Sequence, residues 1–310
     1  MLLVKKQVRL SMRILFAVNG FGDASLGGAC VYHNNLAKAL RHRGHEVRVC
    51  SRTALHAGMF EGIEVNPMGH RDALAKHADV VITTPIMCGA IRHKNKIIIL
   101  HSDQPIPTLE ESVKVIYVAE HLRQKHMVPN KSMVFWPMMW LSNEHWRADD
   151  DVHGLVFGAI NVKPSKGSAA LFDLAQRMPD NLFRFIVHDS DMWRVPKLPN
   201  IDIWPMLMYD AYWMNKFYSK VDVMLLPSHT EGFCTVAMEC AYKGIPVIAT
   251  PIPGIKEVLG SAGIYCEPQG LYDAAISINT IAAARAMKMR GREIEAARNW
   301  EELQAFILTS

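Results

Sequence analysis

No segment of this chain approaches the ~18 uninterrupted apolar residues that cross a membrane, and the opening stretch MLLVKKQVRL is too short in its apolar run for a secretory signal. That stretch reads as an extension before Met12, where the first strand begins. There is no CxxC pair, no His/Cys spacing suited to a metal, no P-loop, no internal repeat and no low-complexity tract. The six cysteines, at 30, 50, 88, 234, 240 and 266, are scattered as in a chain whose thiols stay reduced, which points to the cytoplasm. Gly20 and Gly22 lack the third glycine and the downstream acidic partner of a dinucleotide-binding turn, which argues against a dehydrogenase.

What is present suffices for two domains. The chain has 310 residues, half of them hydrophobic and 21% charged, ample for two cores. Its net charge of +4 hides an asymmetry: residues 1–150 hold 19 Lys and Arg against 13 Asp and Glu, and 11 of the 14 histidines. The remainder holds 15 against 17. The bias favours an anionic partner for the first half.

The most informative stretch is 223–258. The apolar run Val223–Leu226 is too short for a helix and ends at Pro227, so it predicts a buried parallel strand. A polar loop, Ser228–Phe233, opens a helix with apolar Val236, Ala237, Cys240 and Ala241, and Gly244 closes it. Ile245–Ala249 is the next strand. In strand–loop–helix–strand units ligands bind beyond the carboxyl ends of the strands, and amides at a helix start favour anions. Two carboxylates flank that spot, Glu231 in the loop and Glu239 about two turns along the helix. Both are placed to reach one extended ligand carrying phosphate and hydroxyls.

The sequence PSHTEGF, a second glutamate eight residues after the first, GIPVIAT and the turn PGIKEV together resemble the E-x(7)-E signature of retaining glycosyltransferases of the GT-B fold. That is the large glycosyl transferases group 1 family, in which glycogen and sucrose synthases have relatives. Glutamates at this spacing alone would read as solvated helix-face carboxylates; the flanking motifs in register decide otherwise. The resemblance implies an α/β fold of two Rossmann-like domains facing across a cleft, the first abbreviated. It assigns 1–148 to an acceptor-side domain and 149–285 to a nucleotide-sugar-binding domain. A terminal helix over 286–310 is expected to cross back to the first.

The beginning of the chain is similar to the same family's opening. Arg13–Asn19 is a strand, Gly20–Gly28 a flexible loop and Ala29–Arg43 a helix closed by Gly44 before the strand Glu46–Cys50. The resemblance puts Gly27 and Gly28 near the donor phosphates, where glycine permits close backbone approach. Short strands are expected at 63–66, 80–84, 97–100 and 115–118. His101 follows Lys96–Leu100 directly, at the ligand-facing end of a strand, where related enzymes carry a histidine near the transferred sugar. The stretch 134–153, with Trp136, Trp140, Trp146 and the run Asp149–Asp151, reads as the hinge.

Further strands are expected at 154–158, 183–188 and 200–204, with helices at 168–177, 209–220 and 299–307. Relatives show a glycine–arginine pair and then Lys-Gly, both cations holding the donor diphosphate. Lys166 and Gly167 match the second element, but Ala159 follows Gly158 where arginine is expected, and Lys163 stands as the substitute cation. The resemblance also places nucleotide base against backbone near Ile203–Met206.

By resemblance the chain is a metal-independent retaining glycosyltransferase with a nucleotide-diphosphate sugar as donor and no cofactor. Glu231, His101 and Lys166 are its catalytic group; Lys163, Gly232, Phe233, Cys234, Thr235, Glu239, Gly27 and Gly28 bind the donor. Charge favours an anionic lipid, a sugar phosphate or nucleic acid as acceptor, through Lys38, Arg41 and Arg43 with His42, and through Arg92, His93, Lys94 and Lys96. The alternative reading of those clusters is solvated faces and a helix C-terminus complemented by cations. A lipid acceptor would put the protein peripherally at a membrane surface. Two other functions stay open: a nucleotide-sugar-binding scaffold without turnover, and a nucleotide-sugar epimerase of the same fold.

Overall fold

A computed structural model of the chain describes residues 11–22, 27–103, 105–138, 154–206 and 211–308. Most of the expected hinge, including Trp140, Trp146 and Asp149–Asp151, lies outside these, as do residues 23–26 of the glycine loop. The chain forms two compact units, one of residues 1–118, 126–138 and 300–310, the other of 119–125 and 139–299. Among the described residues no helix is long and apolar enough to cross a membrane.

The first unit is built on eight strands: β1 (Arg13–Val18), β2 (Glu46–Ser51), β3 (Gly58–Phe60), β4 (Ile63–Pro67), β5 (Val80–Thr83), β6 (Lys96–Leu100), β7 (Lys114–Tyr117) and β8 (Ser132–Val134). Their spatial order is β3-β4-β2-β1-β5-β6-β7-β8, and every pairing is parallel except β3 with β4. The central strands are apolar runs because both faces are covered. Ile14 to Val18 and Ile97 to Leu100 are all at most 3% exposed. β3 and β8 were not legible in the sequence: each is three residues long at a sheet edge, with no periodicity to read. The helix Gly28–His42 follows β1. Gly27, at its start, has φ +143°, and Gly44, just after its end, has φ +91°; both angles favour glycine.

The terminal helix Trp300–Leu308 belongs to this first unit. Trp300 packs edge-on to Phe135 at 5.1 Å, and the Arg43 guanidinium lies 3.6 Å over its ring. Lys114 donates from Nζ to the carbonyl oxygens of Phe306, at 2.8 Å, and Ile307. Burial, assisted by the charge of Lys131, lowers the Lys114 pKa to about 8. Between that value and the ordinary lysine pKa of ~10.4 the unfolded chain binds the extra proton, so stability rises with pH across this window. We expect the stability of wild type relative to Lys114→Met to improve from pH 8 to 10 in urea titrations. Parallel pH profiles for the two proteins would show that the amine is not desolvated.

The second unit has six strands: β9 (Val156–Ile160), β10 (Leu182–Val187), β11 (Ile201–Pro205), β12 (Val223–Leu226), β13 (Val247–Ala249) and β14 (Ile264–Tyr265). They are all parallel in the order β11-β10-β9-β12-β13-β14. Counted within the unit this is 3-2-1-4-5-6, the Rossmann order, whose topological switch point lies between its first and fourth strands, here β9 and β12. β9 starts two residues later than expected, because Gly154 (φ +98°) forms a turn before it. The helix Thr280–Ala296 packs on Thr235–Lys243 within this unit, so closely that a Cβ on Gly291 would stand 2.6 Å from the Ala241 carbonyl oxygen.

Candidate active site

Two loops leave the carboxyl ends of β9 and β12 at the switch point and are fastened to each other. The first runs from Asn161, itself at φ +60°, through a short turn Pro164–Lys166 to Gly167 at φ +73°. A Cβ on Gly167 would meet the Pro227 carbonyl oxygen at 2.1 Å, so only glycine allows this contact with the loop after β12. The His229 amide donates to the Ser165 carbonyl at 3.1 Å, a second tie. Across these ties Lys166 Nζ donates to Glu231 Oε1, and Ser228 Oγ donates to the same oxygen at 2.9 Å. Ser228 is itself held from behind, its carbonyl accepting from Thr250 Oγ1 at 2.5 Å. A cation and a carboxylate 65 residues apart in sequence thus stand together beside the amino end of the helix Thr235–Lys243.

The side chain of Glu231 keeps 11% exposure and that of Lys166 25%. Gly232 and Phe233 are partly exposed, whereas Cys234 is 3% exposed and its thiol is pushed far up, by burial first and by the Glu231 charge next. Cys234 is therefore a neutral, inert cap residue. Lys163 is half-buried, with no side-chain partner among the described residues. Ala159, where relatives would carry arginine, is 3% exposed inside β9 opposite Phe185, so a guanidinium has no room there. The strand continues one residue beyond Ala159, to Ile160.

Glu239 is placed differently from the expectation that both carboxylates reach one surface. It is 1% exposed and accepts from the hydroxyl of Tyr218, also 1% exposed. One turn on, Lys243 is buried as well and donates to Asn215 Oδ1 at 2.5 Å. Helix periodicity aims Glu239 at the helix Ala211–Tyr218, a partner whose position no local signal reveals.

In the first unit His101 does stand just beyond β6, and the structure supplies it with a partner that sequence reading missed. His33, on the helix Gly28–His42, places its Nε2 2.9 Å from Nε2 of His101. Burial lowers both pKa values, that of His33 to about 3 and that of His101 well below the ordinary range, the latter with a further push from His33. The pair is neutral near pH 7. Gly27 and Gly28 are exposed, and among the described residues nothing lies within 4 Å of a hypothetical Cβ on Gly27.

The basic clusters are mostly committed to the fold. Lys38 is paired with Glu61, and Arg43 stacks on Trp300 and donates to the Ala39 carbonyl. The Arg41 guanidinium stands within 3 Å of where a Gly62 Cβ would be. Lys96 is 4% exposed and tied to Ile91 and Glu110, and His93 bonds main chain. Arg92 and Lys94 remain as exposed cations. Among the described residues no group of three or more His, Cys, Asp and Glu side chains could hold a metal ion.

The PGIKEV turn has two structural duties that spacing did not reveal. A Cβ on Gly254 would stand 2.6 Å from the Glu231 carbonyl oxygen, so this glycine lets the helix Pro253–Leu259 press on the site loop. Glu257 accepts from the amides of Glu120 and His121 and from His121 Nδ1 at 2.8 Å, capping the helix Glu120–His126. Burial would raise its pKa, but these bonds outweigh it and hold the carboxyl below its usual range.

Two Rossmann-like sheets, parallel except for the β3–β4 pairing, match the GT-B class of glycosyltransferase fold. Residues 191–282, within the second unit, match the family described as glycosyl transferases group 1. A D-inositol 3-phosphate glycosyltransferase of Geodermatophilus obscurus is 33% identical over 87 residues, 27% of this chain and 19% of that protein. The match thus spans about a fifth of that relative's length. Among solved structures, a glycosyltransferase from Rickettsia africae superposes with a TM-score of 0.72 at 16% identity, covering 97% of this chain and all of that one. Anabaena Alr3699/HepE, in complex with UDP and glucose, superposes with a TM-score of 0.69 at 15% identity over 96% and 98%. At these identities the likeness is one of fold.

Proposed function

We propose that this protein moves a sugar from a nucleotide-diphosphate sugar to an acceptor with retention of anomeric configuration. The observation that carries the reading is the pairing of Lys166 with Glu231 at the β9–β12 switch point, beside a helix amino end. As the sugar–phosphate bond lengthens, negative charge grows on the diphosphate and positive charge on the anomeric carbon. Lys166, Lys163 and the amides from Gly232 to Thr235 meet the first, and Glu231 takes the sugar hydroxyls. Charge met by preorganised groups is usually the largest catalytic contribution. On a front-face route the departing phosphate oxygen takes the acceptor proton, so no protein base is required. His101 is proposed to give the transferred sugar a hydrogen bond, and Gly27 and Gly28, both exposed, suit donor phosphates. The Anabaena relative's complex with UDP and glucose supports a nucleoside-diphosphate hexose as donor. The burial of Glu239 against Tyr218 supports a scaffolding role for that carboxylate. A Glu239→Gln variant with weakened donor affinity and unchanged unfolding would instead restore the ribose contact implied by resemblance.

The test is a panel of UDP-, ADP- and GDP-sugars read by release of nucleoside diphosphate, with and without exhaustive chelation. We expect one donor to be turned over and EDTA to leave the rate unchanged, because lysine and helix amides face the diphosphate. Loss of activity restored by Mg²⁺ or Mn²⁺ would give the diphosphate to a metal and remove Lys163 from the site. Nucleotide binding with no sugar release from any donor would favour a binding role over transfer.

A further inference from the structure

We propose that His33 is a positioning residue that sets the tautomer of His101, so that His101 offers an Nδ1–H donor to an oxygen of the bound substrate. The two Nε2 atoms stand 2.9 Å apart, with ring planes at 83°, and Tyr32 meets the His101 ring edge-on at 5.2 Å. Between two neutral imidazoles at this distance one Nε2 must carry the hydrogen and the other must accept it. The choice is made at the far side of His33. Its Nδ1 is buried and has no hydrogen-bond partner among the described residues. A proton placed there would be an orphaned buried N–H, which folded proteins avoid more strongly than an unsatisfied acceptor. His33 therefore carries its proton on Nε2 and donates it to His101 Nε2.

The consequence for His101 is forced. With Nε2 accepting, its single proton sits on Nδ1, and His101 is partly exposed where His33 is only 2% exposed. A histidine so fixed donates to an oxygen and does not act as a base at that nitrogen. The lowered pKa values agree, since a neutral pair holds one proton per ring. A second nitrogen that fixes the first through its hydrogen bond is the usual way a functional imidazole is oriented. Only the substrate oxygen rests on the proposed transfer reaction; the tautomer does not.

The experiment is long-range ¹H–¹⁵N spectroscopy of histidine-labelled protein, with the His101 signals assigned by their loss in His101→Asn. Wild type is expected to show His101 protonated on Nδ1. His33→Glu puts an acceptor in place of the donor and should draw a proton onto His101 Nε2, whereas His33→Gln places an amide N–H near the same point and should keep Nε2 unprotonated. With the donor sugar found, His33→Glu should lower kcat by about 10- to 100-fold, the scale of loss when the partner that orients a metal-bound histidine is removed. Nucleotide affinity should stay unchanged, and His33→Gln should restore most of the rate. An Nε2–H His101 in wild type, or a His101 Nε2 that stays unprotonated in His33→Glu, would overturn the proposal whatever the activity. An Nδ1–H His101 in a protein that turns over no donor would keep the tautomer and reject the glycosyltransferase reading.

Discussion

Replacing Glu231 by glutamine is expected to lower sugar transfer by about tenfold to more than a hundredfold, the range for losing a charged hydrogen bond in the transition state. Glutamine keeps the shape of the side chain and an oxygen for Ser228 Oγ, so the loop after β12 retains its tie. Lys166 loses its anionic partner but keeps a quarter of its side chain in solvent, which prevents a stranded buried charge. The fold should therefore survive, with thermal unfolding little changed. Turnover is read by nucleoside-diphosphate release at saturating donor, and folding by calorimetry on the same sample. A near wild-type rate would remove Glu231 from the site. A collapse in stability would make it a structural carboxylate.

Gly167→Val is expected to have the largest effect on folding. The residue sits at φ +73°, a conformation costing about 1–2 kcal/mol for a residue with a side chain. Its Cβ would stand 2.1 Å from the Pro227 carbonyl oxygen, a clash with backbone that no rotamer relieves. Overpacking of this kind costs about 1–3 kcal/mol more. At about 2–4 °C per kcal/mol for a domain of this size, melting should fall by roughly 5–20 °C. Lys166 should also be displaced from Glu231, so that any folded fraction transfers sugar poorly. Gly27→Ala is the control: its φ of +143° is costly too, but no described residue lies within 4 Å of the added carbon, so its loss should be clearly smaller. Equal melting temperatures for the two variants would show that the loops after β9 and β12 are not pressed together.

Most local elements of this chain are written in its sequence, the three-residue edge strands β3 and β8 excepted. Val223–Leu226, the Ser228–Phe233 loop, the helix closed by Gly244 and the strand that follows each carry a short-range signal, an apolar run, a polar turn or a glycine with positive φ. The helix Ser168–Arg177 and the opening strand, helix and strand are equally legible, because periodicity and caps act over a few residues. Glu231 and Lys166 could be named as candidates because their motifs flank them, and the alternation of strands and helices implies the parallel sheets. Only the tertiary structure decided who meets whom. The 3-2-1-4-5-6 order set the switch point between β9 and β12. The burial of Glu239 under Tyr218, the stacking of Arg43 on Trp300 and the joining of His33 to His101, 68 residues away, follow no sequence spacing. A carboxylate, a guanidinium or an imidazole has the same local signature whether it faces solvent, a ligand or a buried partner, and the partner comes from a distant segment brought in by packing.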